Sequence, residues 1–335
     1  MARLSDIVRE QPKQGTGPVR SGMPDQTGAS EGVGQATNGR GGTGTASLYE
    51  RAEQELVQLS QAIRGHAALP IDRLAELAAE LARQVSLTDE LLMRVLAGQQ
   101  GRPYIHNPIN VAILATTVAQ GLRYDAPALE RLALAALMHD VGMWLLPDSL
   151  LSKSEGYNAS DRELLEQHPQ KGFQLLVGLG SHYEWVATVV KQEHERWGGQ
   201  GYPNRLQGGQ IHEYAQIIGL VDTLDAMINP RTYRRQMLPH FAVREFMVKT
   251  KGLFSHQLLK TLVDRLSLYP LGTTVRLNTG EVGVVSQLNA RYPLRPRLRM
   301  AHLNGPGSGE TGKTVDLSET STLHIVEVLR PLERT

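Results

Sequence analysis

Residues 132–142 read LALAALMHDVG, an apolar helical run that ends in an adjacent His139-Asp140 pair. A Glu193-His194 pair and Asp222 each follow a further apolar run with helical spacing. Such runs bury their polar ends toward the interior of a bundle, where helical proteins build metal sites. The stretch therefore predicts a bundle that is nearly all helical from residue 100 to about residue 267.

The chain from Leu134 to Met237 carries the chemistry. Hydrolysis of a phosphodiester needs a strong nucleophile at neutral pH and neutralised phosphoryl oxygens, and two cations about 3.5 to 4 Å apart supply both. Histidine and carboxylate side chains that converge when the chain folds back suit such a two-metal hydrolytic centre. The candidates are His139, Asp140, His168, Glu193, His194 and Asp222.

Four short elements occur in a fixed order. They are Ala135–Gly142, His168-Pro169 with Gly172, His194-Glu195-Arg196 through Gly199–Pro203, and Val221-Asp222 through Asp225-Ala226 with Arg231–Arg234. In this order they resemble the HD-GYP family, metal-dependent phosphodiesterases of the bacterial second messenger cyclic di-GMP. The resemblance implies a mainly α fold, an HD-type all-helical bundle preceded by a helical region and followed by a small β domain.

The resemblance also implies a role for each candidate. Asp140 would bridge two divalent metal ions, with His139 and Asp222 on one ion and His168 and His194 on the other. We expect Fe or Mn, and histidine and carboxylate ligands also suit Zn or Ni. His139 and Asp140 would carry the catalysis. The structural alternatives are a buried hydrogen bond between His139 and Asp140, a helix cap next to His168, and a cap or an arginine partner at Asp222.

Three positions depart from the family pattern. Glu193 stands where the family has the first of two adjacent histidines, and a carboxylate there keeps a ligand while lowering the net charge of the site. Met143 stands where a lysine is expected, which removes a cation that would hold a substrate phosphate. The first family histidine aligns with Asn107, so His106 is a candidate metal ligand only if the chain is irregular at Pro108.

Substrate contacts are expected from three further residues. Arg231 and Arg234 offer guanidinium forks for a phosphate or a guanine edge, and Tyr202 offers a ring that stacks on a base. The alternatives are ordinary surface arginines and a Tyr202 that fixes the Gly-rich turn. The expected partner is cyclic di-GMP, the GYP turn or the N-terminal peptide is the expected docking point for a protein partner, and a homodimer is left open.

Three functions remain open at this stage. We favour an active cyclic di-GMP phosphodiesterase that takes part in signal transduction. The second is a degenerate HD-GYP module that binds the nucleotide, or a partner such as a diguanylate cyclase domain, without hydrolysis; Met143 and Asn107 favour it. The third is a hydrolase of the wider HD superfamily that acts on another phosphorylated small molecule.

Composition limits the class of protein. The chain has 335 residues, 41% of them hydrophobic, and no cysteine, which excludes disulfides and thiolate metal sites. A net charge of +1 gives no reason to expect a nucleic-acid polymer or a membrane as partner. No segment approaches the roughly 20 apolar residues of a membrane span, and the N-terminus lacks a signal peptide, so we expect a cytoplasmic protein.

The composition divides the chain into four parts. Residues 1–46 form a Gly-rich tail, with ten glycines between Gly15 and Gly44, that we expect to be disordered. Residues 47–98 form an N-terminal helical region and residues 99–267 the HD-GYP domain. Residues 268–335 form a small β domain, with strand signals at 274–277, 283–285, 298–302 and 323–328 and an exposed loop at 305–312.

Overall fold

The computed structural model describes residues 43–97, 102–153, 156–229, 239–266, 269, 272–287, 289, 295–301 and 310–329. Its helices are α1 (Thr43–Arg64), α2 (Ile71–Leu87), α3 (Glu90–Ala97), α4 (Pro103–Gly121), α5 (Ala126–Met138), α6 (Asp148–Leu151), α7 (Ala159–Leu165), α8 (His168–Val177), α9 (Glu184–Gln192), α10 (Glu213–Ile228), α11 (Pro239–Lys249) and α12 (His256–Arg265). Single 3-10 turns lie at Val141–Leu145, Ser181–Tyr183 and Gly208–Gln210.

Helix α5 lies at the centre of the bundle. The Asp125 side chain caps its first turn by accepting a hydrogen bond from the backbone N–H of Ala128 at 3.0 Å. Every side chain from Leu132 to Met138 is buried, as expected for a helix that is apolar on all sides. Helix α5 packs against α2 and α4, and α4 also packs against α10 and α12. The polar pair His139-Asp140 therefore emerges directly from the core.

The C-terminal strands form one antiparallel sheet. The strands β1 (Thr274–Leu277), β2 (Val282–Gln287), β3 (Arg297–Ala301), β4 (Glu310–Asp316) and β5 (Ile325–Leu329) are arranged in the order β4-β3-β2-β1-β5. The turn between β1 and β2 contains Gly280 at a φ of 86°, which suits a residue without a Cβ. Val275, Val285 and Leu298 belong to the same continuous apolar core as the helices.

The fold class expected from the sequence is confirmed: the described residues are mainly helical and end in a small antiparallel sheet. The predicted boundaries at residues 46, 98 and 267 stay a prediction, and residues 1–42 of the tail lie outside the described residues. Among the described residues, no helix combines the length and apolar character needed to cross a membrane.

Two local predictions were wrong. Helix α4 continues through Pro108, so the irregularity that a ligand role of His106 required is absent. Residues 310–312, expected in a loop, begin strand β4, and Gly312 adopts a φ of 70° next to a shift in the pairing of β3 with β4. Residues 302–309 of that loop lie outside the described residues.

Candidate metal centre

Two glycines let the segments of the site approach each other until their backbones are in contact. A Cβ added to Gly142 would lie 2.0 Å from the carbonyl oxygen of His168, and one added to Gly219 would lie 2.2 Å from the carbonyl oxygen of Glu193. Ordinary contact begins at about 3.4 Å, so neither position has room for a side chain. The 3-10 turn after α5 is therefore pressed against α8, and α10 against the end of α9.

The first ligand group joins three of these segments. His168 Nε2 lies 3.2 Å from Asp140 Oδ1, 3.2 Å from Glu193 Oε1 and 3.1 Å from His194 Nε2. His194 Nε2 is also 3.2 Å from Glu193 Oε1. One ligand atom from each of the four residues lies within 4.8 Å of all the others, and only His194 is partly exposed.

The second ligand group consists of His139, Asp222 and again Glu193. His139 Nε2 lies 3.7 Å from Asp140 Oδ2 and 3.9 Å from Asp222 Oδ1. Asp140 thus presents one oxygen to each histidine, and Glu193 belongs to both groups. Two buried carboxylates therefore lie between the groups, where the sequence predicted Asp140 alone.

The site carries an excess of buried negative charge. Burial raises the pKa of Glu193 well above its ordinary 4.5, and the neighbouring charges of Asp140 and Asp222 raise it further. Burial lowers the pKa of His139, but the charges of Asp140, Glu193 and Asp222 outweigh burial and bring the pKa above its ordinary 6.5. The site therefore attracts cations, either protons or metal ions.

Asn107 holds Asp222 in place. Its Nδ2 donates to Asp222 Oδ1 at 3.0 Å and to Asp225 Oδ2 at 2.8 Å. His106, the predicted ligand one residue earlier, is not brought to the centre, and its Nε2 lies 3.3 Å from Glu53 of α1. One residue on a continuous helix is about 100° of rotation, so α4 can direct only one of the two side chains into the site.

The GYP turn is fixed by its own side chains. Glu195 is buried and accepts hydrogen bonds from the backbone N–H groups of Asn204 at 2.6 Å and Leu206 at 2.9 Å. A Cβ on Gly201 would lie 2.4 Å from the carbonyl oxygen of His194. Tyr202 stacks its ring on the His194 imidazole with centroids 4.7 Å apart and an interplanar angle of 17°. The ring that was predicted to stack on a base thus already covers His194, a candidate metal ligand.

Met143 occupies the position where the family pattern has a lysine. It lies in the 3-10 turn and is buried in a small apolar cluster with Leu146 and Leu150. Partly buried Tyr104 and Tyr157 pack on this cluster. A packed apolar side chain therefore occupies the position where a cation was expected.

The structure brings together all six predicted ligands other than His106, and Tyr202 beside them. Arg231 and Arg234, the predicted substrate contacts, lie outside the described residues. Sequence reasoning missed that Asn107 and Asp225 contact the site. A signal was present, because both are polar side chains within apolar helices, three residues from Asn110 and Asp222 respectively.

Comparison with known proteins gives two family matches. Residues 51–253 match the family described as HD domain, and residues 274–335 match the KOW domain associated with HD domain. An HDG"Y"P protein from Bdellovibrio bacteriovorus superposes with a TM-score of 0.55 at 18% identity, over 66% of this chain and 72% of that one. At this identity the structural likeness concerns the fold.

Two curated relatives illustrate the sequence similarity. A cyclic di-GMP phosphodiesterase of Pseudomonas aeruginosa is 28% identical over 76% of this chain and 62% of its own length. A 3'3'-cGAMP-specific phosphodiesterase of Vibrio cholerae is 30% identical over 39% of this chain and 25% of its own length. The matched region thus spans less than two thirds of each relative.

Proposed function

Because the chain belongs to the HD domain family, and within it to the HD-GYP type, we propose that it is a metal-dependent phosphodiesterase that hydrolyses cyclic di-GMP. One observation carries the proposal. His168 Nε2 lies 3.1 to 3.2 Å from three atoms that can bind a metal ion, on Asp140, Glu193 and His194. Acceptors crowd together in this way when a cation lies between them.

The hydrogen bonds of the other ring nitrogen in His168 and His139 support this interpretation. His168 Nδ1 lies 2.6 Å from the carbonyl oxygen of Leu165, and His139 Nδ1 lies 2.7 Å from that of Ala136. A carbonyl oxygen only accepts, so each Nδ1 carries a proton, and in the neutral imidazole each Nε2 keeps a lone pair that can bind a cation. Histidines that bind metals donate their other ring N–H to a carbonyl in this manner.

Unsatisfied buried atoms at the same place also fit metal ions. Among the described residues, His139 Nε2 and Glu193 Oε2 are buried and have no hydrogen-bond partner. Such orphan atoms are costly in a folded protein unless an ion binds them. Imidazole nitrogens mixed with carboxylate oxygens, and no thiolate, suit Fe or Mn, and Glu193 in place of a histidine makes the donors harder.

We assign the bridging role to Asp140 and a shared ligand role to Glu193, with His139 and Asp222 on one side and His168 and His194 on the other. Divalent ions bound there supply Lewis-acid stabilisation of the phosphoryl group and lower the pKa of a bound water. The buried ligands exclude bulk water, which strengthens electrostatic contacts to the phosphate. Tyr202 lines the partly exposed side at His194, and we propose Arg231 and Arg234 as phosphate contacts.

A second candidate function has a specific observation in its favour. Met143 is packed among apolar side chains, so this position offers no cation to a substrate phosphate. A charge-assisted contact of that kind is worth about 1.5 to 3 kcal/mol. The second candidate is therefore a module that binds the cyclic dinucleotide without hydrolysing it.

One experiment separates the two. The full chain is freed of metal and loaded with Mn²⁺, or with Fe²⁺ without oxygen, and its metal content and its turnover of cyclic di-GMP and 3'3'-cGAMP are measured. We expect wild-type turnover, loss of both metal and turnover in Asp140→Asn, and no change in Asp264→Asn, whose carboxylate pairs with Lys260 on the surface. Bound nucleotide without turnover in the metal-loaded wild type supports the second candidate, and a chain that takes up no metal excludes the phosphodiesterase.

A further inference from the structure

A chain of hydrogen bonds leads from the first described helix to a candidate metal ligand. The hydroxyl of Tyr49 on α1 donates to Asn110 Oδ1 at 2.7 Å, and Asn110 Nδ2 donates to Asp225 Oδ1 at 3.0 Å. The other oxygen of Asp225 accepts from Asn107 Nδ2, which also donates to Asp222 Oδ1. Four helical side chains thus connect α1 with Asp222.

The direction of each bond is determined. Asp225 also accepts from Asn229 Nδ2 at 2.8 Å, so three amide groups point their N–H donors at this carboxylate. Asn110 must therefore turn its Nδ2 toward Asp225 and its Oδ1 toward Tyr49, which leaves the phenol as donor. Burial, followed by the charges of Asp225 and Glu53, raises the pKa of Tyr49, which keeps this donor protonated.

The surroundings make this chain stiff. Tyr49 and Asn110 are fully buried, and Asp225 is 1% exposed. Arg94 of α3 lies over the Tyr49 ring, 4.1 Å from its centroid, and holds the ring from the outside. Each hydrogen bond of this network is buried, so breaking one leaves a desolvated donor or acceptor without a partner, and this cost favours one arrangement of the side chains.

We propose that Tyr49 is a positioning residue of the metal centre, which holds Asp222 facing His139 through Asn110, Asp225 and Asn107. The proposal rests on the metal-dependent function argued above. Asn107, at the position where the family has a histidine, then acts as a clamp on two carboxylates. Helix α1 thereby becomes part of the metal-binding apparatus.

The test uses Tyr49→Phe in the full chain, which removes the hydroxyl and keeps the ring. The matched control is Tyr124→Phe, which removes a partly buried hydroxyl bonded to Glu213, outside this network. Metal-free proteins are titrated with Mn²⁺. Changes in residues that orient metal ligands typically weaken metal affinity about 10- to 100-fold, and we expect this loss in Tyr49→Phe and less than about a twofold change in Tyr124→Phe.

A double-mutant cycle separates positioning from general packing. Asn107→Ala cuts the last link before Asp222, so it should weaken Mn²⁺ binding at least as much as Tyr49→Phe. In the Asn107→Ala background, Tyr49→Phe should then have no further effect on Mn²⁺ affinity. Equal losses from Tyr49→Phe in both backgrounds would mean a structural role only and would overturn the inference.

Two other outcomes are distinguishable. If wild type binds Mn²⁺ and Tyr49→Phe binds it equally well, the inference is wrong and the proposed function stands. If wild type binds no Mn²⁺, the proposed function is wrong and the inference falls with it. If Tyr49→Phe does not fold, Asn107→Ala decides, and unchanged Mn²⁺ affinity in that variant overturns the inference.

Discussion

Replacing Glu193 with glutamine should stabilise the metal-free protein and remove the further stabilisation that metal provides. The side chain is fully buried, its Oε1 lies 3.2 Å from both His168 and His194, and its Oε2 has no partner among the described residues. Without metal, burial raises the pKa of this carboxyl well above its ordinary value, so folding works against its ionisation, and a neutral amide of the same shape removes this cost. With metal, the amide removes one charge from both ligand groups.

The size of each effect can be derived. Metal at about a hundred times its dissociation constant stabilises the folded state by about 2.7 kcal/mol. The unfolding entropy is about 2.1 cal/mol/K per residue, so for 335 residues each kcal/mol moves the melting temperature by about 1.5 °C, and wild type should gain about 4 °C on metal addition. Glu193→Gln leaves three candidate ligand residues in one group and two in the other. The melting temperature of this variant should therefore rise by nearly zero on metal addition. Relief of the buried charge is worth about 1 to 3 kcal/mol and should raise the melting temperature of the metal-free variant.

The assay is thermal unfolding with a chelator and with Mn²⁺, together with metal analysis of the same samples. Glu195→Gln is the matched control, because this buried carboxylate accepts two backbone N–H bonds and belongs to neither ligand group. It should lower the melting temperature without metal and keep the gain with Mn²⁺. Our reasoning is refuted if Glu193→Gln also melts lower without metal and keeps the full gain.

The remaining predictions use the same measurements. Gly142→Ala places a Cβ 2.0 Å from the carbonyl oxygen of His168, so the 3-10 turn and α8 must move apart. A displacement of about 1 Å can lower a rate about a hundredfold. Metal affinity and turnover should therefore fall in this variant. In the control Gly209→Ala the added Cβ meets open space, so metal affinity and turnover should not change. A Gly142→Ala protein with normal metal affinity and turnover would contradict the close packing. Burial raises the pKa of Asp225 from 3.8 to about 7, so the folded state binds this proton more tightly than the unfolded state does. The unfolding free energy of the metal-free protein should therefore fall as pH rises from about 4 to 7. Asp225→Asn should flatten this slope; an unchanged slope would assign it to other groups. Met143→Lys buries an amine among apolar side chains and should lower the melting temperature, more than Met143→Leu does, without a gain in turnover. A gain in turnover would show that the lysine reaches the substrate phosphate.

The sequence alone was enough to predict the helical class, the sheet and the candidate ligands. Helical spacing of apolar residues is a local property, so the run that ends at His139-Asp140 could be identified without knowing its neighbours. The turn around Gly280 was equally local, because it depends on a few adjacent residues. The set of ligand residues came from the order of short motifs along the chain.

The tertiary structure alone decided which atoms meet. Whether His106 or Asn107 enters the site depends on helix α4 continuing through Pro108, and packing against α10 settles that. The bond from Asn107 to Asp222 joins residues 115 positions apart, and no local pattern specifies such a pairing. Glu193 is shared by both ligand groups because Gly219 lets the backbones of two segments approach, and this distance depends on the whole core. Local preferences determine secondary structure, whereas contacts between distant segments determine the coordination geometry.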